Sequence, residues 1–334
     1  MADAVFSPRD FKAWVKAEAV PGTASSAHDS YYQLDVDSVS FPSLSPNQVT
    51  AVRSRAGRIL DIADFFQDNE IRAVEVNLSG TFRKDIGTAI LMQSVTGNSI
   101  TSTLVDVEMG STPTGISNKY GASSSANQTF TLVLAPPYMV DGNNTILTGC
   151  LCTSFSINAD MTADGGLYKF EATISSGKNP NTSDTNAKSG TVFGSSLITL
   201  ISATSADIYV GGKQAPVISS FGINIETPAV YTGFTSTGYH SFARGAEFTI
   251  SANATVKYDA LTKPLYDEFN TQTSAVTSNF FAIPQANNNC GITMPEGFLT
   301  DVTFNEGDAM MLDVAMQGVA NSAVTHNVIA FDLA

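Results

Sequence analysis

The chain has 334 residues, 43% of them apolar, and a formal net charge of −14 from 31 acids against 17 Lys and Arg. That balance excludes a phosphate-gripping DNA binder, which needs clustered cations, and no run approaches the roughly 18 apolar residues of a membrane helix. Charged residues make up only 14%, against about 25% in an ordinary globular domain. Ser, Thr, Asn and Gly fill the gap, which suits a subunit covered by copies of itself. The length favours two domains over one. Three cysteines, Cys150, Cys152 and Cys290, are too few for a disulfide framework. With an N-terminus that lacks the pattern of a secretory signal, they point to assembly in a reducing compartment.

Taken in order, residues 1–29 read as an N-terminal arm. Ser7-Pro8 is a helix-start pattern, and Phe11, Trp14, Val15 and Glu18 give a short amphipathic helical turn or two ended by Pro21-Gly22. Tyr32–Phe41 alternates as a strand. Ser45-Pro46-Asn47-Gln48 resembles a capping box, and Val52, Ile59, Ile62, Ala63 and Phe66 follow at helical spacing. Ala73–Asp85, AVEVNLSGTFRKD, reads as a strand ending in an Asp cap for a helix over Ile86–Val95, with Ile86, Ile90 and Leu91 inward. Gly97–Gln128 and Gly177–Gly194, rich in Ser, Thr, Asn and Gly, read as long surface loops. Between them, Leu151–Ser176 is strand, turn, strand: Phe155 and Ile157 alternate with Ser154, Ser156 and Asn158, and Asp164-Gly165-Gly166 supplies the turn. Cys150 and Cys152 read as small buried residues with parity opposite to Phe155.

Later segments echo earlier ones. Glu247–Asp259, EFTISANATVKYD, aligns without gaps on Ala73–Asp85, matching Val76 with Ile250, Thr81 with Thr255 and Asp85 with Asp259. VSFP from Val39 resembles IETP from Ile225. Thr153, Phe155, Ile157 and Asn158 match Thr300, Val302, Phe304 and Asn305. Three segments repeated in one order imply one β unit twice, over 30–212 and 213–334. The second copy carries its own loop, Tyr231–Ala243.

No constellation for catalysis emerges. His28, His240 and His326 lie beside no nucleophile elbow, and no zinc motif occurs. Gly211-Gly212-Lys213-Gln214 lacks the spacing of a phosphate loop. Asn158, Asp160, Thr162 and Asp164 depart from a calcium loop at Ala163 and Lys169. No catalytic residue, metal site or cofactor is therefore expected. The remaining signal is acidity near predicted turns and strands: Asp106, Glu108, Asp160, Asp164, Glu306 and Asp308. These acids serve solubility, or they line a surface that faces DNA without holding it, since like charge repels phosphate over a Debye length of roughly 8–10 Å.

The paired AVEVNLSGTFRKD and EFTISANATVKYD strands, together with TSFSINADMTADGGLYKFEATISSG (Thr153–Gly177), make the chain from Ser30 to Ala334 resemble a bacteriophage tail tube (major tail) protein. The resemblance implies a mainly β fold, a duplicated β-sandwich flanked by a helix, whose hairpins join an oligomeric β-barrel ring. It implies a structural virion protein with no enzymatic activity, made in the host bacterial cytoplasm. Trimeric rings with pseudo-sixfold symmetry would stack into the tube through which double-stranded DNA passes on ejection. The implied partners are further copies, a tape-measure protein, and tail-terminator or tail-tip proteins, with no membrane. Two other readings compete: a two-domain β-sandwich binding or adhesion module, with Tyr231, Phe234, Tyr239 and Phe242 as its candidate groove, and a capsid or decoration protein.

Overall fold

The computed structural model describes residues 7–25, 29–42, 47–50, 65–68, 73–110, 117–119, 128–136, 144–182, 189–200, 208–235, 238–245, 248–267, 269, 275–285, 290–307, 309–320 and 327–334. The chain is mainly β. A 3-10 turn at Pro8–Asp10 precedes β1 (Lys12–Ala17), β2 (Tyr31–Leu34), β3 (Val36–Val39), β4 (Asn47–Thr50), β5 (Phe65–Asp68) and β6 (Val74–Thr81). Helix α1 (Ile86–Val95) leads to β7 (Val107–Met109), β8 (Ser117–Lys119), β9 (Phe130–Ala135), β10 (Thr145–Asp160), β11 (Lys169–Ser176) and β12 (Gly190–Thr191). Next come β13 (Tyr209–Val210), β14 (Lys213–Gln214), β15 (Ile218–Glu226), β16 (Ala229–Thr235), β17 (Gly238–Arg244) and β18 (Thr249–Lys257). Helix α2 (Lys263–Asp267), β19 (Ala275–Ile283), β20 (Gly291–Glu306), β21 (Met310–Gly318) and β22 (Ile329–Asp332) complete the chain.

The centre is one antiparallel run in the order β3, β6, β11, β10, β15, β18, β21, β20. The 16-residue strands β10 and β20 are long enough to serve two neighbourhoods. The first half of β10 pairs with β9, which carries β1 and β2. The first half of β20 likewise pairs with β19, which carries β13. None of these described pairings leads back to an earlier strand, so the sheet stays open within one chain. Alternation does the rest. Leu78, Ala172, Phe155, Ile157, Ile223, Ala252, Val314 and Val302 turn to one side and are buried, each 5% exposed or less.

β6, β11 and β10 pair with one another as β18, β21 and β20 do, and β3 sits beside β6 as β15 sits beside β18. Following the ladders from the matched pair Leu78 and Ala252, Val39 takes the place of Ile223, and Ile157 that of Val302. Asn158 then corresponds to Thr303, not Asn305, and Phe41, two residues past Val39, to Ile225. Both expected matches are displaced by two residues, a shift that an alternating pattern cannot register because it leaves every side chain on its face.

Several local expectations change. Lys12–Ala17 is a strand, not a helical turn, and lies between β2 and β9. Asn47–Thr50, expected to open a helix, is a strand paired with Phe65–Asp68; 51–64 lie outside the described residues. Tyr231–Ala243, expected as a loop, is the β16–β17 hairpin, with β8 as third strand. A bulge between Cys152 and Ser154 reverses the expected parity, so Cys150, Cys152 and Phe155 share one core.

Helix α1 begins where the sequence placed it. Asp85 caps it, Oδ1 accepting from the Thr88 amide at 2.8 Å. Gly87–Val95 are all buried, so the helix has no solvent face. Asp85 Oδ2 is buried without a hydrogen-bond partner, and burial pushes this carboxyl up to about 6 against the opposing Thr88 bonds and Arg83. A carboxyl raised in the fold adds stability below the unfolded value near 4, and that stability is lost as pH rises toward 6. Asp85→Asn keeps the cap and removes the buried charge. We expect it to unfold about 2 kcal/mol later than the parent at pH 7, with the gap closing at pH 4, in urea titrations at both values. A destabilised variant at pH 7 would show that the charge on the helix dipole outweighs its burial.

Candidate functional site

The second side of the central run carries polar residues on every strand, with Phe298 opposite Gln317 as an exposed apolar exception. β6 contributes Glu75, Asn77 and Ser79, and β11 contributes Glu171 and Thr173. β10 adds Ser154, Ser156, Asn158 and Asp160, beside Ser220, Asn224 and Glu226 of β15. Ser251, Asn253 and Thr255 of β18, Asp313 and Gln317 of β21, and Asp301, Thr303 and Asn305 of β20 complete it. Three shallow hollows open on this face, one each around Asn77 and Ser154, Asn158 and Asp160, and Asn253 and Asp313.

Its electrostatics are one-sided. Six acids in the strands (Glu75, Asp160, Glu171, Glu226, Asp301, Asp313) stand against Lys169 and Lys257, and Lys169 is held by Asp37 at 2.9 Å. Part of the hydrogen-bonding capacity is spent across strands. Thr173 Oγ1 donates to Asn77 Oδ1 at 2.9 Å, Thr255 Oγ1 to Asp313 Oδ1 at 2.6 Å, and Asn305 Nδ2 to Asp313 Oδ2 at 3.0 Å. Such a surface offers a polyanion few cations to bind.

Of the acids singled out from sequence, two sit at the edge of this face. Asp160 ends β10 and shapes the turn to β11, accepting from the Thr162 hydroxyl and amide, each at 2.6 Å. Those bonds hold its carboxyl below the usual range, so it stays ionised. Asp164 is exposed in the same turn, where Gly165 and Gly166 take φ of 63° and 76°. Glu306 is the last residue of β20, and Asp308 lies outside the described residues. Four antiparallel steps separate β10 from β20, so the two strands run parallel and their hairpin tips leave the sheet at the same end.

Asp106 and Glu108 lie elsewhere. Asp106 Oδ1 accepts the amides of Leu333 and Ala334 at 2.8 Å each, and Glu108 sits exposed on β7, paired to β22. Among the described residues, no group of three or more His, Cys, Asp or Glu is arranged to hold a metal ion. None of their helices is long and apolar enough to cross a membrane. The strand acids Glu171, Asp301 and Asp313 were passed over because alternation marks them only as solvent-facing. That they share one surface is a property of the strand order.

The candidate aromatic groove is a packed cluster. Tyr231 and Tyr239 lie 5.6 Å apart, Phe234 meets Tyr239 edge-on at 5.9 Å, and Phe242 is buried against Leu151. Of the four, Phe234 remains 42% exposed. No protein-family model matches the chain, and no curated protein is significantly similar to it.

Proposed function

We propose that the chain is a structural subunit of a phage tail tube. On this reading it is a duplicated tube unit, a β-sandwich in each half, that assembles into rings whose polar sheet face lines a channel for DNA. One observation carries it: β10 of the first half pairs with β15 of the second over Ser154–Asp160, fusing both halves into one sheet with a single cation-poor face. A surface that repels phosphate and carries few cations is what a channel wall needs if DNA is to slide and not stick. Three chains would then supply six such units per ring. Ring-on-ring stacking around a tape-measure protein, closed by tail-terminator and tail-tip proteins, belongs to the same reading, as do residence in the virion and the absence of catalysis.

The test is negative-stain electron microscopy of the purified chain beside its light-scattering mass. The expected result is rings or tubes with a central hole and a trimeric soluble species. Icosahedral shells would turn the reading toward a capsid or decoration protein. A stable monomer at every concentration would overturn self-assembly.

A further inference from the structure

We propose that the outer edge of β20 from Phe298 to Glu306 is a docking strand for the β3 edge of a second copy of this chain, in a register set by the chain's own β10–β15 ladder. This rests on the tube reading and deepens it by naming the seam. Among the described residues, nothing pairs with that edge. β21 holds the other side of β20, and the β19 ladder stops at Gly297. The equivalent stretch of β10, on the side away from β11 and beyond the end of the β9 ladder, is where β15 lies. β3, the counterpart of β15, is paired with β6 alone among the described strands.

The register follows by transfer. β10–β15 sets Phe155 opposite Ile225, Ser156 opposite Asn224 and Ile157 opposite Ile223. On β20 and β3 these become Leu299 opposite Phe41, Asp301 opposite Ser40 and Val302 opposite Val39. Phe41 supplies the independent sign. Its counterpart Ile225 is 1% exposed at the internal junction, whereas Phe41 is 40% exposed, its ring edge-on to Phe11 at 4.6 Å. An apolar side chain left in water at the position where its counterpart is buried is explained by a missing neighbour.

A second β3 is also the better occupant than a second β20. Antiparallel self-pairing would bring Asp301 near its own copy, and like charges across a ladder are destabilising. β3 presents Ser38 and Ser40 there instead. The contact is head-to-tail, the kind that closes a ring when the rotation permits.

The test mixes full-length Ser40→Cys with full-length Asp301→Cys under mild oxidation, the three native cysteines being buried. A disulfide-linked dimer is expected from the mixture, and from the double variant a ladder ending at the trimer. Ser38→Cys with Asp301→Cys, two residues out of register, should stay unlinked. Phe41→Asp should raise the concentration for half-assembly at least about tenfold, a larger effect than the loss of its edge-on contact with Phe11 has on the monomer's unfolding curve. Rings seen by microscopy without the predicted link, or with the offset pair linked, would overturn the seam and leave the tube reading standing. A monomer with neither link nor ring would overturn both.

Discussion

Arg244→Met is expected to lower stability by about 2–4 kcal/mol, mostly by freeing the β16–β17 hairpin from the body. Arg244 ends β17, is 5% exposed, and has no carboxylate among its hydrogen-bond partners. Its guanidinium instead gathers carbonyl oxygens: Cys152 at 2.9 Å, Thr227 at 3.0 Å, Ser94 at the end of α1, and Gln128 Oε1 at 3.1 Å. It thereby ties the second half's hairpin to the first half's helix and long strand. Burial pulls its pKa down to about 10, so the cation is penalised but still present at neutral pH. Removing it recovers that penalty, of order 3 kcal/mol. It also leaves several buried acceptors unpaired at roughly 1–3 kcal/mol each, and the second sum wins. Arg244→Lys should recover little, because one ammonium cannot reach acceptors spread over a planar fork. Chemical denaturation followed by the fluorescence of Trp14 would measure both variants. An Arg244→Met protein as stable as the parent would mean that water replaces the fork.

Glu18→Ala is expected to cost a comparable amount, with a pH dependence that identifies the cause. Glu18 follows β1 and is 5% exposed. Its carboxylate accepts from the Gly22 amide at 2.7 Å, the Gly149 amide and the Thr129 hydroxyl at 2.8 Å each, and the Thr131 hydroxyl at 2.9 Å. Gly149, at φ 64°, sits in the irregular step of the β9–β10 ladder, which frees its amide to turn toward Glu18. Losing this acceptor strands two amides and opens a cavity, about 2–4 kcal/mol together. Burial nevertheless holds the carboxyl above its usual range, outweighing these four bonds. The stability it confers is therefore fully present below the unfolded value near 4.5 and declines as pH rises through the folded one. The gap between parent and variant should be wider at pH 4 than at pH 8. A gap that widens with pH would mean that the four donors outweigh burial.

These two anchors also show how far sequence reading reached. The sequence pattern puts Glu18 on one face of a helical arm, and Arg244, one residue past the expected Tyr231–Ala243 loop, carries no pattern at all. Neither has a local signal, because apart from Gly22 and Thr227 their partners are carbonyls, an amide and hydroxyls contributed by segments 92–150 residues away. Asp85 was read correctly as a cap, since capping acts over three residues and is written in them. The two-residue displacement between the expected matches and the strand ladders has the same origin. Val39 was matched to Ile225 and takes the place of Ile223; either match keeps an apolar residue inward.

By itself the sequence determined which residues alternate, where the β10–β11 turn and the cap of α1 fall, and that the chain is mainly β with too few cations to hold phosphate. These depend on contacts within a few residues or on composition. Only the tertiary structure decided which strands lie side by side, which bulges reverse parity at Cys152, and which acids share a surface. Strand pairing is a long-range choice among segments with the same period of two, and that period is blind to partner and to even shifts in register.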